Sequence, residues 1–498
     1  MRTVSLIGPR WLLVAGLLGL GGCDSLWGSF RGPNDQNCLH NPALCTEQQL
    51  CSPKTRQCED KCMSSAECTR DPSKPVCLNG LCQACDEIAN KNEADKQCQE
   101  RGVSGSNVCV RSGPNKGQCL GCDTVADCRD DGSVCAPNNQ CMLMPCATHK
   151  DCRSGVCDPY QMVLGEPGRC VPQSELIYVD NRDGPCTSGD GSSPQGALCT
   201  LDEGVRKAVM MKRALRVVGR EASYGPLKLE TDGSRFTGQL VIYGPAGTPA
   251  LEGERSQARL GGNPNVPGVD LVAGGGAQLT LDGLAVHGAE RGAWCEVGGG
   301  QSALLTLRRL VIRDASFVGV EVSGCQLVMD RVMITGSRGG GLRLLSSNYS
   351  ITNSILFKNR SGTNSTVFID NNSQGVFRFN TVVHNEVSEG GGRFSGISCG
   401  NSQLIEDTIV VGNRGSPSQL SGCRLARTVV GRMEPGDLEG AIKEDPSFED
   451  PSRGDFQLKP DASCCIDRAM ADPRVRTDYF GTRRPQRGGY DIGAHELP

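Results

Sequence analysis

The sequence predicts an all-β fold: a parallel β-helix, or solenoid, preceded by a disulfide-rich, loop-dominated repeat region. Three observations carry this. A hydrophobic phrase returns in one register seven times between Leu281 and Arg432, twenty cysteines crowd between Cys38 and Cys170, and a short apolar leader precedes both. At 498 residues the chain is too long for one compact core, and its 65 glycines supply the tight turns that a coiled architecture needs.

The leader comes first. Arg2 and Arg10 flank the start of an apolar run, Trp11 to Leu20, which ends in Leu20-Gly21-Gly22-Cys23. A run this short is a secretory signal rather than a membrane span, which needs about 20 residues. Its end resembles the lipobox of bacterial lipoproteins. That likeness implies a signal peptide over 1–22, a lipid on Cys23 that ties the protein to a membrane, and a linker over 23–37. An Asp directly after the lipidated Cys, here Asp24, retains some lipoproteins in the inner membrane. The outer membrane or the cell surface is nevertheless the expected place in the envelope. Net charge is −4, and −6 once Arg2 and Arg10 leave with the leader, which argues against nucleic-acid or anionic-lipid partners.

Of the 29 cysteines, 28 remain after Cys23 is set aside, an even number suited to an oxidising compartment. The twenty in 38–170 divide into five groups of four, opening at Cys38, Cys62, Cys85, Cys122 and Cys146. Ala66-Glu67-Cys68, Ala126-Asp127-Cys128 and Lys150-Asp151-Cys152 recur at equivalent places and mark tandem units. Such units hold few apolar residues, so disulfides replace a core at about 2–5 kcal/mol per native bridge. Cys82-x-x-Cys85 and Cys119-x-x-Cys122 have zinc-ribbon spacing. Each straddles a junction between units, so oxidation is the expectation. The block resembles the cysteine-rich repeats, often likened to the Dickkopf amino-terminal region, of exported bacterial proteins.

The repeat follows. Leu281, Leu307, Met329, Ile351, Phe379, Ile405 and Leu425 align at steps of 26, 22, 22, 28, 26 and 20 residues. Three residues on stand Leu284, Leu310, Val332, Ser354, Val382, Thr408 and Thr428; two further on, Val286, Ile312, Ile334, Leu356, His384, Val410 and Val430. Alternation of period two marks strands, and the break at Asp282-Gly283, Arg308-Arg309, Asn353 and Asp407 marks a corner. Units that cannot bury an apolar face alone must stack. Leucine-rich repeats would need a fixed leucine and asparagine spacing that is missing. Asp282, Arg308 and Asp330 fall at one outward corner and read as a surface ion-pair ladder, with about 0–1 kcal/mol per exposed pair.

From Glu175 onward, about two-thirds of the protein resembles the bacterial right-handed parallel β-helix repeat family. Ile177-Tyr178-Val179-Asp180, the Gly/Ser-rich stretch to Pro194 and a helix from Leu201 to Met211 look like its entry strand, loop and capping helix, with Cys186 and Cys199 closing the loop. The exit carries Asp445-Pro446-Ser447-Phe448, Gly454-Asp455-Phe456-Gln457-Leu458 and the closing Asp491-Ile492-Gly493-Ala494-His495-Glu496. Cys464 and Cys465 stand where the family has a small residue and Pro before Ile-Asp. A solenoid end needs a polar cap. Arg483 or Arg484 with Asp491 and Glu496 is expected to form one through bidentate pairs. The domain reading is therefore 38–170 for the cysteine-rich repeats and 175–498 for the β-helix with its two caps. Rungs about 4.8 Å apart lie within disulfide range, which makes Cys399 with Cys423 the preferred bridge there.

Chemistry is harder to find. Several β-helix families are polysaccharide lyases or hydrolases, which need clustered carboxylates with a base or a bound Ca²⁺. The repeat region has no Asn-Thr-Asp, Asp-Asp or Gly-His-Gly phrase. His384, the one ionisable group at an inward ladder position, is the catalytic candidate. Asp180, Asp183 and Asp190 suit Ca²⁺ best, without EF-hand spacing. Arg308, Arg309, Arg331 and Arg343 read as a solvated basic face. The mature chain keeps only Trp27 and Trp294, a thin basis for stacking sugars. No cofactor is implied. The expectation is an exported, lipid-anchored, non-enzymatic surface or periplasmic binding or adhesion protein with a polysaccharide or protein ligand. The alternative is a polysaccharide-active enzyme, which a carboxylate cluster beside an Arg on an outer face would favour. The leader makes a direct prediction: radiolabelled palmitate is incorporated by the expressed chain and is not incorporated by Cys23→Ala.

Overall fold

The computed structural model describes residues 37–128, 132–181, 189–219, 223–231, 234–245, 258–297, 302–362, 365–388, 394–415, 418–436 and 438–498. These form two compact units. One comprises the chain up to Asp127 with Cys135–Gln140, the other Cys128–Val134 with Cys141–Pro498. Cys23 and Cys186 lie outside the described residues, and so do the linker residues before 37.

In the first unit short antiparallel pairs, Gln49–Cys51 with Cys58–Asp60 and Val76–Leu78 with Leu81–Gln83, are closed by disulfides. The connectivity is first-to-third and second-to-fourth in every four-cysteine group: Cys38–Cys51 and Cys45–Cys58, then Cys62–Cys77 and Cys68–Cys82, through to Cys146–Cys157 and Cys152–Cys170. The zinc-like spacings are thus consumed in disulfides. One helix, Lys91–Glu100, starts where Asn90 accepts the backbone N–H of Asn92 and Glu93. It buries Ala94 and Cys98 against Val76, Cys85, Cys109 and Cys119.

The second unit is a β-solenoid of three parallel sheets, with ten strands in the first and nine in each of the others among the described residues, one short antiparallel strand, Ser234–Arg235, edging the third. One rung shows the plan. Ala277–Asp282 lies in the first sheet, Ala285–His287 in the second and Ala293–Val297 in the third, and Ala303–Arg308 then returns to the first. Leu281, Leu307, Met329 and Ile351 pair in register, as the periodicity requires. The next rung differs from expectation: Ile351 pairs with Phe377, and Phe377 with Ile405. Phe379 is two residues out and sits in the corner.

That corner is left-handed at every rung. Arg309, Arg331, Asn353, Phe379, Asp407 and Arg427 have φ between 45° and 56°, and Gly283 has φ 72°. A left-handed non-glycine residue costs about 1–2 kcal/mol, so neighbouring rungs must hold it. The second corner is left-handed too, at Asp314, Gly336, Lys358, His384 and Gly412, and a polar ladder braces it. The backbone N–H of Ser337, Asn359 and Asn385 donate to the Oδ1 of Asn359, Asn385 and Asn413 at 3.1, 2.9 and 3.1 Å. The side-chain N–H₂ of the three asparagines donate to the carbonyls of Ile334, Leu356 and Val382 at 2.8–3.0 Å. Gln419 ends the ladder by accepting from Asn413, and Glu434 receives the N–H of Gln419 at the last rung.

The entry end is closed by the helix Leu201–Met211, whose Thr200 accepts from the N–H of Glu203 and whose Leu201, Val205 and Ala208 enter the core. Gly204 is required there, because a Cβ would lie 2.2 Å from Val179. The fifth cysteine group belongs to this unit. Its hairpin Cys157–Val163 and Glu166–Cys170 lies on the outer side of the first sheet: Tyr178 donates to Ser154 O, Tyr243 to Asp158 at 3.0 Å, and Tyr160 to Asp330 at 2.6 Å. The supposed surface ladder is therefore covered. Asp282 is fully buried and accepts from Arg309 at 2.5 Å, while Arg308 lies 3.9 Å over the Tyr160 ring.

Residues 448–494 cover the outer side of the second sheet. Phe448, Phe456, Leu458, Tyr479 and Ile492 pack on Val311, Met333, Ile355, Phe357, Val383 and Ile409. Removing the central ladder amide by Asn385→Ala orphans the N–H of Asn359 and the carbonyl of Leu356, at about 1–3 kcal/mol each. A clear fall in urea midpoint is expected, whereas exposed Asn348→Ala should change stability by no more than about 0.5 kcal/mol.

Candidate functional site

The residues singled out from sequence do not converge. His384 is not on the inward ladder: Val382 takes that place, pairing with Leu356 and Val410, and His384 is an exposed corner residue with φ 51°. Phe377 and Phe379 carry the same alternation, which explains the two-residue slip. The His384 ring lies 6.2 Å from Phe357 and 6.1 Å from Phe456. Partial burial, Arg414 and Lys358 all lower its proton affinity. Packed among rings and cations, it is a corner residue rather than a proton carrier. Of the Ca²⁺ trio, Asp183 lies outside the described residues. Asp190 spends one oxygen on the N–H and hydroxyl of Ser192 at 2.9 and 2.7 Å, which lowers its pKa. Among the described residues, the groupings with metal-ligating geometry are all cysteines of the four-cysteine groups, which the disulfides consume.

Arg484, Asp491 and Glu496 do meet. Arg484 donates to Glu496 and to Asp491 O at 2.9 Å and to Gly493 O at 2.7 Å, and its guanidinium lies 4.8 Å from the Phe379 ring centroid. Asp491 accepts from the N–H of Asp467 and Leu497. The cluster fastens the closing phrase to the side of the solenoid, where Ala494 N–H donates to Thr381 and Gly493 N–H to Asp407 O. It is thus a lateral clamp, and the roofing of the last rung falls to Glu434. Arg483 stands apart, exposed and 3.4 Å from Glu166. Cys399 and Cys423 are bonded, as are Cys295 and Cys325, and Cys464 is joined to its neighbour Cys465.

The arrangement with chemical potential lies on the outer side of the third sheet. One outward position reads, rung by rung, Lys228, Asp270, Trp294, Glu321, Arg343, Phe368 and Ser398. The turn before Trp294 contributes Glu290 and Arg291, and the next turn contributes Phe317. The Arg291 guanidinium sits between two rings, 5.3 Å from the Trp294 centroid and 5.2 Å from that of Phe317. It pairs with Glu290 at 2.6 Å and Glu321 at 3.6 Å. Arg343 pairs with Glu321 at 3.3 Å and lies 5.7 Å from Phe317. Two cations thus share the Glu321 carboxylate while Phe317 stays 36% exposed. Rings held by cation–π contact and forks held by carboxylates make a stiff, amphipathic surface. Sequence reasoning missed it because Phe317 is in a turn, and Trp294, Glu321, Arg343 and Phe368 meet only through unequal rungs.

No family model matches the chain, and no curated protein matches it. Among solved structures the chain is similar to a pectate lyase, Pel9A, with TM-score 0.35 and 11% identity over 65% of this chain and 96% of that one. It is also similar to the pectin methylesterase from Aspergillus niger in deglycosylated form, with TM-score 0.27 and 9% identity over 56% and 94%. At these scores neither likeness carries an argument about activity, and the fold rests on the chain's own three sheets.

The clamp has a pH signature. His495 is buried, accepts the Leu458 N–H at Nδ1 (2.8 Å), and is pushed by burial and Arg484 from 6.5 down to about 4. The native preference for the neutral ring is complete above pH 6.5 and is lost as pH falls from 6.5 towards 4. That difference corresponds to about 3 kcal/mol. His495→Gln should flatten this part of the stability profile, measured by denaturant unfolding at each pH.

Proposed function

We propose that the protein is an exported, lipid-anchored envelope protein, held through Cys23 at the outer membrane or cell surface, that binds an extended polysaccharide or protein ligand without altering it. The cysteine modules act as a stalk or docking surface, and the solenoid presents its third sheet. The disulfides suggest an extracellular or periplasmic location. Among the described residues no helix is long and apolar enough to cross a membrane.

The observation that carries the binding reading is the internal pairing on the third sheet. Glu321 is held by Arg291 and Arg343, and Glu290 by Arg291. A general acid or base needs a carboxyl free to exchange its proton with substrate. Carboxylates committed to guanidiniums are better suited to holding a rigid recognition surface. The same group supports a second reading, because carboxylates beside arginines on an open β-helix face are also the ingredients of a polysaccharide lyase or hydrolase.

Size-exclusion chromatography separates the two. The soluble chain from Asp24 is incubated with neutral and uronic-acid polysaccharides, with and without Ca²⁺. The expected result is polysaccharide of unchanged length that co-elutes with the protein. Shortening that disappears in Glu321→Gln would establish the enzyme instead.

A further inference from the structure

We infer that the ligand of the third-sheet face is an uncharged polysaccharide lying along the solenoid axis across Trp294, Phe317 and Phe368. This rests on the binding reading above. Rungs repeat at about 4.8 Å, so Trp294 and Phe368, three pairings apart, are separated by about 14 Å along the axis. Phe317 lies between them in the turn that leads into the Glu321 strand. The apolar surface is therefore a line along the axis, the shape that suits a chain of sugar rings rather than a compact ligand.

Charge selects the class. The outward positions and the turns on this side, including the one that packs on Phe317, carry Asp270, Glu290, Glu296 and Glu321 against Lys228, Arg291, Arg338 and Arg343, a face without net charge. Arg291 and Arg343 already face carboxylates. A uronate polymer would bring further carboxylates to a line with no net positive charge to attract them, and would have to displace Glu290 or Glu321 to reach Arg291 or Arg343. Like charges so placed are repulsive, and breaking a half-buried pair leaves its partner uncompensated. Hydroxyl groups need no such exchange: they donate to the spare lone pairs of the partly exposed Glu290 while ring C–H groups lie on the aromatic faces.

The chain from Asp24 contains only Trp27 and Trp294, so Trp27→Phe leaves Trp294 as the sole tryptophan reporter. Its emission is titrated with mixed-linkage β-glucan and galactomannan, and with polygalacturonate and alginate. A saturable change is expected with at least one neutral polymer and not with either uronate. Phe368→Ala, which keeps Trp294 and is checked by far-ultraviolet circular dichroism, should weaken the apparent affinity about tenfold. A response to uronates alone would overturn the ligand class and leave the binding face standing. Polysaccharide co-eluting with the protein while Trp294 stays silent would overturn the face itself. Silence with every polymer and no co-elution would overturn both.

Discussion

The pairing of each rung with its neighbours, parallel and in register, is the constraint on which the rest of the unit depends. It satisfies the backbone groups of three sheets at once, and it forces residues of equivalent position to stack at one short spacing. What a position holds is thereby multiplied. A leucine becomes a core column, an asparagine becomes the Asn359–Asn385–Asn413 ladder, and an outward residue becomes part of a stripe. The left-handed corners are tolerable for the same reason. Arg309, Arg331 and Asp407 keep φ values that an isolated turn would avoid, since the amides on either side are already committed to the rungs above and below.

Stacking also decides where charge can go. Asp407 is fully buried at its corner, yet accepts from Arg378 at 2.7 Å and Arg427 at 2.5 Å, one on each side along the axis. Removing either arginine leaves the buried carboxylate with one cation instead of two, and breaking a buried pair costs more than the pair is worth. Tyr160 plays the corresponding part at earlier rungs of the same corner, inserted between Arg308 and the Asp330–Arg331 pair. Burial raises the pKa of its hydroxyl, which stays protonated and donates. The fifth cysteine group is joined to the solenoid through that residue, with Tyr178 and Tyr243 beside it, and so belongs to its unit.

Much of this is legible in the sequence. The solenoid, its corners and the cysteine groups follow from periodicity and spacing, because those patterns are direct consequences of strand alternation and of disulfide reach, and the helix Leu201–Met211 follows from the resemblance to the β-helix repeat family. The failures share one cause: a sequence shows which residues repeat, but not what lies over them. Asp282, Arg308 and Asp330 looked solvated because nothing in their spacing announces a tyrosine some 120–170 residues earlier. His384 was drawn into the inward column by a slip between Phe377 and Phe379, two residues with the same parity and the same apolar character. Asn359, Asn385 and Asn413 lie outside the repeat positions that the periodicity picks out, and their inward direction shows only once the second corner is seen. The count of tryptophans argued against stacking, and a count cannot show that the rungs bring Trp294, Phe317 and Phe368 to one side.

The location of the candidate face follows from what the other two sides are doing. Among the described residues of the second unit, the hairpin 157–170 lies over the first sheet and residues 448–494 lie over the second, each fastened by buried aromatic and ionic contacts. The third sheet keeps Phe317, Glu296 and part of Arg343 and Glu290 in contact with solvent. A face serving only to complete the solenoid would need nothing more than small polar residues, as Ser398 and Ser421 provide farther along the same stripe. Lodging a guanidinium between Trp294 and Phe317 and bracing Glu321 from two sides restricts long side chains that would otherwise be free, at about 1–2 kcal/mol of rotamer entropy each. Ion pairs buried to this degree return little of that to stability, because desolvation offsets much of their Coulombic gain. Rigidity of this kind is most useful when a partner is recognised, because side chains already ordered lose little further entropy on binding.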